Sequence, residues 1–417
     1  PKCYWMHCWS EKRSLESWRS YNYPHVAAVY WSLYRLARFY DPPLATRASW
    51  QWYLTQAART AAAMWKFGGK GRDTSQWGLM VGSVFALVLR DAEAEGLAAE
   101  AAPLREMVER RMAKWLKMPF PYGSEFPWDS TGHEEINTWL LWHGHHAAAN
   151  KTVGAILAYS SYVPHWAHCG SARRYWDFTI NGKTQWGNER EFHHYGSTLN
   201  AIPLFDHFRA YPQRAHLLLL GSCALLGHLT NIDESGAASM AWHGDPGLLR
   251  RDEYSGDYGV GFYGYWRSAG AYLACVPPHG WVCTYCDLES GGGGGGGCDD
   301  AAPLRAVPRD AFGRHVYIGP LGVSATVEAA RIVGFDVSPR DGTATLRLRS
   351  HDGAPSATAM LRVQAERVYP PPPAAGYVAR CAPQQPCCAI ARSEDLLEFA
   401  LQRAGPFEEV PFAIDIL

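Results

Sequence analysis

Four carboxylates stand close together in the segment PFPYGSEFPWDSTGHEEINTWLLWHGHH (residues 119–146): Glu125, Asp129, Glu134 and Glu135. They are set among Phe, Tyr and Trp, and His143, His145 and His146 follow. Carboxylates among apolar rings are suited to general acid–base work. Desolvation lifts the pKa of one, which keeps its proton at neutral pH, while a second stays ionised. In glycosidic cleavage such a pair protonates the leaving oxygen and supplies the base or nucleophile. Glu125 lies in the loop between aromatic residues, where partial desolvation would raise its pKa. Glu135 opens the row Glu135, Trp139, His143 or Trp142, and His146, a polar-aromatic stripe if one helix carries it. Glu134 stands three residues after Thr131, the spacing of a capping box, so it reads equally well as a helix-start residue.

The second carboxylate is expected from another hairpin. RRDEYSGDYGVGFYGYW offers Asp252, Glu253 and Asp257, and Asp257 is favoured, with a helix N-cap as its structural alternative. Asp177 ranks behind it because Arg173 and Arg174 suggest an ion pair. The expected catalytic set is therefore Glu125, Glu135 and Asp257. A metal centre is not expected. One helix cannot turn His143, His145 and His146 toward one ion, and no HExxH-type spacing occurs. No cofactor is implied.

The aromatic inventory points the same way, with 18 Trp and 22 Tyr against 15 Phe. Rings that carry a polar handle suit surfaces that must be both apolar and hydrogen-bonding, as a sugar face requires. Trp77, Trp128, Trp166, Tyr175, Trp176 and Tyr195 are candidate platforms, each with core packing as the alternative, and His165, Arg173 and His194 are candidate polar contacts. HHYGSTLN supports a different chemistry. His193 or His194 with Tyr195, together with Asn200 and the Arg173–Arg174 pair, matches by type the acid, base and neutralising groups of a polysaccharide lyase. The loops are not especially basic, which argues against a uronate polymer.

These groups need a scaffold. At 417 residues the chain can bury a large core, and two domains are expected. Lys and Arg total 39 and Asp and Glu 40, a net charge of −1 that offers no global field for nucleic acid or anionic lipid. No apolar run approaches membrane-spanning length, and PKCYWMHCWS is too polar for a signal peptide. Because the chain starts at Pro1, a processed or partial product is expected, with any targeting signal upstream. Eleven cysteines indicate an oxidising compartment, with Cys283 and Cys286 as a CxxC that favours disulfides or buried thiols over half a zinc site. The sequon at Asn150 fits secretion.

From about residue 20 to 275 the pattern is helical, with runs near 24–40, 45–67, 76–92, 102–117, 132–160, 190–210, 212–229 and 256–275. The loops between them mix Gly, charge and aromatics, as binding loops on a rigid scaffold do. Successive hairpins, each presenting a rich loop at one end, describe a toroid of paired helices around a central pocket. After about residue 278 the runs RHVYIGPLGVSATVEAARIVGFDV, TATLRLRSHD and ATAMLRVQAERV read as strands of a β-sandwich-like module. The expected domains are 1–277 and 278–417. Gly291 to Gly297 reads as a flexible insertion and Pro370 to Pro373 as a stiff one.

The blocks WSEKRSLESWRSYNYPHVAAVYWSLYRLARFY, PFPYGSEFPWDSTGHEE, VPHWAHCGSARRYWDF, HHYGSTLNAIPLF and GWVCTYCDLE resemble a family of secreted bacterial and fungal proteins, a domain of unknown function grouped with the six-hairpin glycosidases. The resemblance runs through the helical part into the strands. It implies a mainly α chain, an (α/α) six-hairpin toroid followed by a β-sandwich-like domain, and carbohydrate chemistry. Members carry a β-rich region before the helical barrel that this chain lacks, again the mark of a partial chain. The expectation is thus a secreted glycoside hydrolase acting on a poly- or oligosaccharide, with no nucleic acid or membrane span. The alternatives are a polysaccharide lyase, or a non-catalytic sugar-binding or structural extracellular glycoprotein with an assembly partner.

Overall fold

The computed structural model describes residues 15–40, 42–69, 74–120, 123, 132–160, 169–170, 192–238, 241–243, 250–251, 259–290, 298, 302–340, 343–350, 359–365, 377–381, 387–393, 396–401 and 410–416. The chain divides into two compact units. One comprises Pro1–Leu33, Gln51–Tyr159 and Arg173–Glu189, the other Tyr34–Trp50, Ser160–Ala172 and Arg190–Leu417.

The helices are α1 (Asn22–Arg38), α2 (Trp50–Phe67), α3 (Val84–Ala94), α4 (Ala98–Trp115), α5 (His133–Trp142), α6 (His146–Tyr159), α7 (His194–Ala210), α8 (Ala215–Gly227) and α9 (Gly259–Ser268). In the first unit α3 pairs with α4, and α5 with α6. The sequence sorts each pair. VFALVLRDA of α3 and HEEINTWL of α5 are enclosed, whereas α4 and α6 bury one stripe and expose the other, as an amphipathic outer helix does. The second unit repeats the scheme with enclosed α7 against one-faced α8. Close crossings depend on glycine: a Cβ on Gly264 of α9 would lie 2.5 Å from the Thr198 backbone of α7.

Three helical expectations change. The run near 76–92 becomes α-helical only at Val84. The run 132–160 is two helices, because Gly144 adopts φ +75° and the amides of Gly144 and His145 donate to the carbonyls of Leu141 and Leu140, the two bonds of a Schellman stop. The run 256–275 ends at Ser268. The residues after Gly270 form strand β4 (Ala271–Val276), which pairs parallel to β8 (His315–Ile318).

Besides β4 and β8, the strands are β1 (Phe192–His193), β2 (Ala241–His243), β3 (Arg250–Arg251), β5 (Gly280–Thr284), β6 (Cys286–Ser290), β7 (Leu304–Pro308), β9 (Val323–Glu328), β10 (Ala330–Ser338), β11 (Thr343–Ser350), β12 (Ala359–Ala365), β13 (Tyr377–Cys381), β14 (Cys387–Ser393), β15 (Leu396–Leu401) and β16 (Val410–Ile416). The first three form a small sheet. The rest form a six-stranded sheet, β13-β16-β11-β10-β7-β6, and a seven-stranded one, β14-β15-β12-β9-β8-β4-β5. Val316, Ile318, Val323 and Ala325 from one sheet and Ala306, Phe335, Leu346 and Leu348 from the other share one core, the two-layer arrangement of a sandwich. In β10 Ala330 and Ile332 face inward, the register slips between Ile332 and Gly334, and Phe335 and Val337 face inward beyond the slip. A β-bulge absorbs the extra residue.

Disulfides join Cys275 to Cys298 and Cys283 to Cys286, as the CxxC suggested. Among the described residues no helix is long and apolar enough to cross a membrane.

Two buried histidines give the second unit an acid-sensitive core. Burial lowers His228 to about 4. Burial, and then the charges of Arg209, Arg267 and Arg314, hold His315 well below its usual value. The unfolded chain takes up these protons near pH 6.5 while the folded chain resists, so stability falls as pH drops below about 6.5. Each histidine contributes a slope of up to about 1.4 kcal/mol per pH unit. Urea unfolding of wild type and His228→Gln between pH 7.5 and 5 checks this: the variant should show the shallower decline, and parallel lines would refute the assignment.

Candidate functional site

The first two turns of α5 are fully enclosed yet carry His133, Glu134, Glu135, Asn137 and Thr138. A helix can bury so many polar groups only if neighbours answer them. Its N-cap is Gly132 at φ +79°, where a Cβ would lie 2.2 Å from the carbonyl of Gly78. Gly78 in turn bridges to Gly123, so backbone meets backbone with no side chain between. With Gly132 as cap, Glu134 is the second helical residue and Glu135 the third. Thr131 and the capping box expected for it fall outside the described residues.

Glu135 is committed to an ion pair. Arg111 of α4 donates through Nη1 to Oε1 and through Nη2 to Oε2, the latter at 2.8 Å. The Leu79 amide donates to Oε2 at 2.8 Å. Arg111 also donates to the Trp77 carbonyl and lies 4.9 Å over the Trp115 ring. Gly82 closes the remaining side, since a Cβ there would stand 2.3 Å from Oε2. Both partners are wholly buried, so Glu135 is held as the counter-charge of Arg111.

Glu134 is the opposite case. It is equally buried, and neither carboxyl oxygen has a hydrogen-bond partner among the described residues. Burial raises its pKa well above the usual carboxylate range, and the charge on Glu135 raises it further. The backbone amides of Glu134, Glu135 and Ser83 offset this only in part, without reaching hydrogen-bonding geometry. The result is a carboxyl whose burial favours the protonated form, beside a carboxylate engaged by Arg111.

Trp77 is half-buried at the edge of this cluster, with the Lys114 ammonium 4.4 Å over one face of its ring. Lys114 also donates to Gln76, and Trp115 donates to the Gln76 carbonyl at 2.9 Å. One face of Trp77 is thereby occupied.

The stripe expected from Glu135 to His146 does not form, because the stop at Gly144 places His146 in α6 and leaves His143 exposed. Glu125, Asp257, Trp128, His165, Trp166, Arg173, Tyr175 and Trp176 lie outside the described residues. His194 and Tyr195 open α7, and their side chains are likewise outside what is described. Among the described residues no group of His, Cys, Asp or Glu is placed to hold a metal ion.

Arg111 was not among the sequence candidates. Its signal is positional: Leu104, Met107, Val108, Met112 and Trp115 form the apolar stripe of α4, and Arg111 falls on it, while Arg110 beside it points outward to Glu106. A charge on an apolar stripe calls for a buried partner.

One protein-family model matches residues 2–371, and its description is "Family of unknown function (DUF5695)". No curated protein and no solved structure matches the chain.

Proposed function

Given that the chain belongs to DUF5695, a family of unknown function, we propose that it is a secreted carbohydrate-active protein, a glycoside hydrolase whose general acid is Glu134. The observation that carries this reading is the buried, unpaired Glu134 carboxyl next to the Glu135–Arg111 pair. Protonating a glycosidic oxygen needs a carboxylic acid still protonated at working pH, and the burial that raises the Glu134 pKa acts in that direction. Glu135 then acts as a positioning residue: its charge adds to burial in raising the Glu134 pKa, and Arg111 keeps that charge in place. The alternation of enclosed and one-faced helices supports a six-hairpin toroid as the frame. In such a frame the second carboxylate comes from another hairpin, with Asp257 and Glu125 as the sequence candidates. Glu134 is closed to solvent in this structure, so the reading requires its covering groups to part when substrate enters.

Glu134→Gln tests it. Glutamine copies the shape and the neutrality of the protonated acid, so the variant should fold with wild-type stability near pH 5. The wild type loses stability as pH rises through the raised pKa of Glu134, because the unfolded chain releases the proton first, and the variant lacks that loss. Its hydrolysis, read as new reducing ends over a polysaccharide panel, should drop by about 10²–10⁴-fold. A stable variant with undiminished hydrolysis would remove Glu134 from catalysis. An ultraviolet-absorbing unsaturated product from wild type would favour the lyase, and sugar binding without turnover would favour the non-catalytic glycoprotein.

A further inference from the structure

Among the described residues of the second unit two cysteines are free: Cys169, which is buried, and Cys223 of α8, which is half-buried. They are 54 positions apart in sequence but adjacent in space, since Gly170, next to Cys169 in the chain, packs directly on Cys223. Their closeness is built into the backbone. Gly170, at φ +74°, lies so tightly on α8 that a Cβ there would stand 2.5 Å from the Leu220 carbonyl oxygen, 2.7 Å from the Ala224 nitrogen and 3.1 Å from the Cys223 Cβ. Only glycine allows this approach in that conformation, and the approach sets Cys169 against Cys223. The other side of the same helical turn is also held. The Tyr285 hydroxyl donates to the Ser222 carbonyl at 2.7 Å, and Tyr285 stands inside the Cys283–Cys286 loop.

We propose that Cys169 and Cys223 are a disulfide site, closing a cross-link that ties the turn at residues 169–170 to α8. The reaction is thiol–disulfide exchange with a small-molecule disulfide of the oxidised-glutathione class. The Cys223 and Cys169 sulfurs form one S–S bond, the small disulfide is reduced to two thiols, and those thiols take up the two protons released. Burial, with Cys169 beside it, pushes the Cys223 thiol up to about 12, so exchange is slow in the folded chain and the bond is best formed during folding. Once closed, the pair is apolar and has no charge to bury, which matches its surroundings. Among the cysteines whose side chains are described, Cys275, Cys283, Cys286 and Cys298 are already paired.

The test is peptide mapping of the full chain refolded in a glutathione redox buffer, alkylated under denaturing conditions and digested without reduction. The expected result is one linked peptide pair carrying Cys169 and Cys223, two hydrogens lighter than its reduced parts. Cys169→Ser should leave Cys223 alkylated, Cys223→Ser should leave Cys169 alkylated, and in both variants the pairs 275–298 and 283–286 should remain. Because single variants can misfold, the wild-type map decides: both cysteines recovered fully alkylated, with the other pairs intact, overturns the proposal. Recovery of either one linked to a different chain cysteine overturns it as well. Neither readout depends on catalysis, so it stands apart from the hydrolase reading.

Discussion

Glu135→Gln is expected to destabilise the protein by about 3–5 kcal/mol, the largest effect of any single side-chain change at the α5 N-terminus. The variant keeps the shape of the side chain but removes its charge, leaving the Arg111 guanidinium fully buried without a counter-ion. No shift of position can relieve it. Arg111 is held at the same time by the Trp77 carbonyl and the Trp115 ring, and Gly82 leaves no room on the far side of the carboxylate. Replacing both members of the pair, as Glu135→Leu with Arg111→Met, should restore much of the loss, because paired apolar residues of similar volume avoid the desolvation that an orphaned charge incurs. The urea midpoints of the two single variants and the double variant close this cycle. Additive losses would mean that the pair is not energetically coupled. The same series separates the neighbouring carboxyls, since Glu134→Gln is expected to leave stability at pH 5 unchanged.

In the second unit the corresponding effect falls on Glu328, at the end of β9. Its carboxylate accepts from Arg35 Nε at 3.1 Å and from Arg314 Nη2 at 3.0 Å, and Arg35 Nη2 adds a further bond. The two guanidinium groups also stand over the Trp266 ring, at 4.4 and 4.0 Å. Burial alone would raise the Glu328 pKa, but the charges and hydrogen bonds of Arg35 and Arg314 outweigh it and hold the carboxyl well below its usual range. Burial lowers Arg314 to about 10, against the pull of Glu328. Glu328→Gln therefore leaves two partly buried cations beside one ring without its charge, and a loss of about 3 kcal/mol is expected at pH 7. The pH dependence has a definite sign. A carboxyl held below its unfolded value contributes stability that is complete above about pH 4.5 and lost as pH falls below it. The difference between wild type and variant should accordingly narrow below pH 4.5. A constant difference down to pH 3 would show that the contribution is packing and not charge.

Much of the fold was legible because its periods are distinct. The apolar spacing of α1 and the alternation in β8, β9 and β11 identify those elements directly. The misreadings came where one residue decides. Gly144 carried the signal for a helix stop, but the histidines around it continued an apparent stripe through it. At Ser268 the change from helix to strand rests on Gly270 and on pairing with β8, a partner more than forty residues away, which no local pattern reveals. At the α5 start, Glu134 and Glu135 are alike in type, and neighbouring helix positions point about 100° apart. Which of them meets Arg111 depends on whether the helix is capped at Thr131 or Gly132, and that is set by the contact between Gly132 and Gly78. Glu135 stood among the catalytic candidates with Glu125 and Asp257, and in the structure its carboxylate is the counter-charge of Arg111.

The slip in β10 has a consequence for how this chain can change length. Val333 is the residue that the partner strand skips, Ile332 facing Leu348 and Gly334 facing Arg347. With Val333 removed, the strand would read Ala330, Arg331, Ile332, Gly334, Phe335, Asp336, Val337, an unbroken in–out alternation. β10 thus carries one spare residue, and shortening at that point leaves every inward side chain inward. Removing Asp336 instead would reverse the phase of the residues beyond it and turn Val337 toward solvent. At this position the sandwich can lose a residue and keep its core.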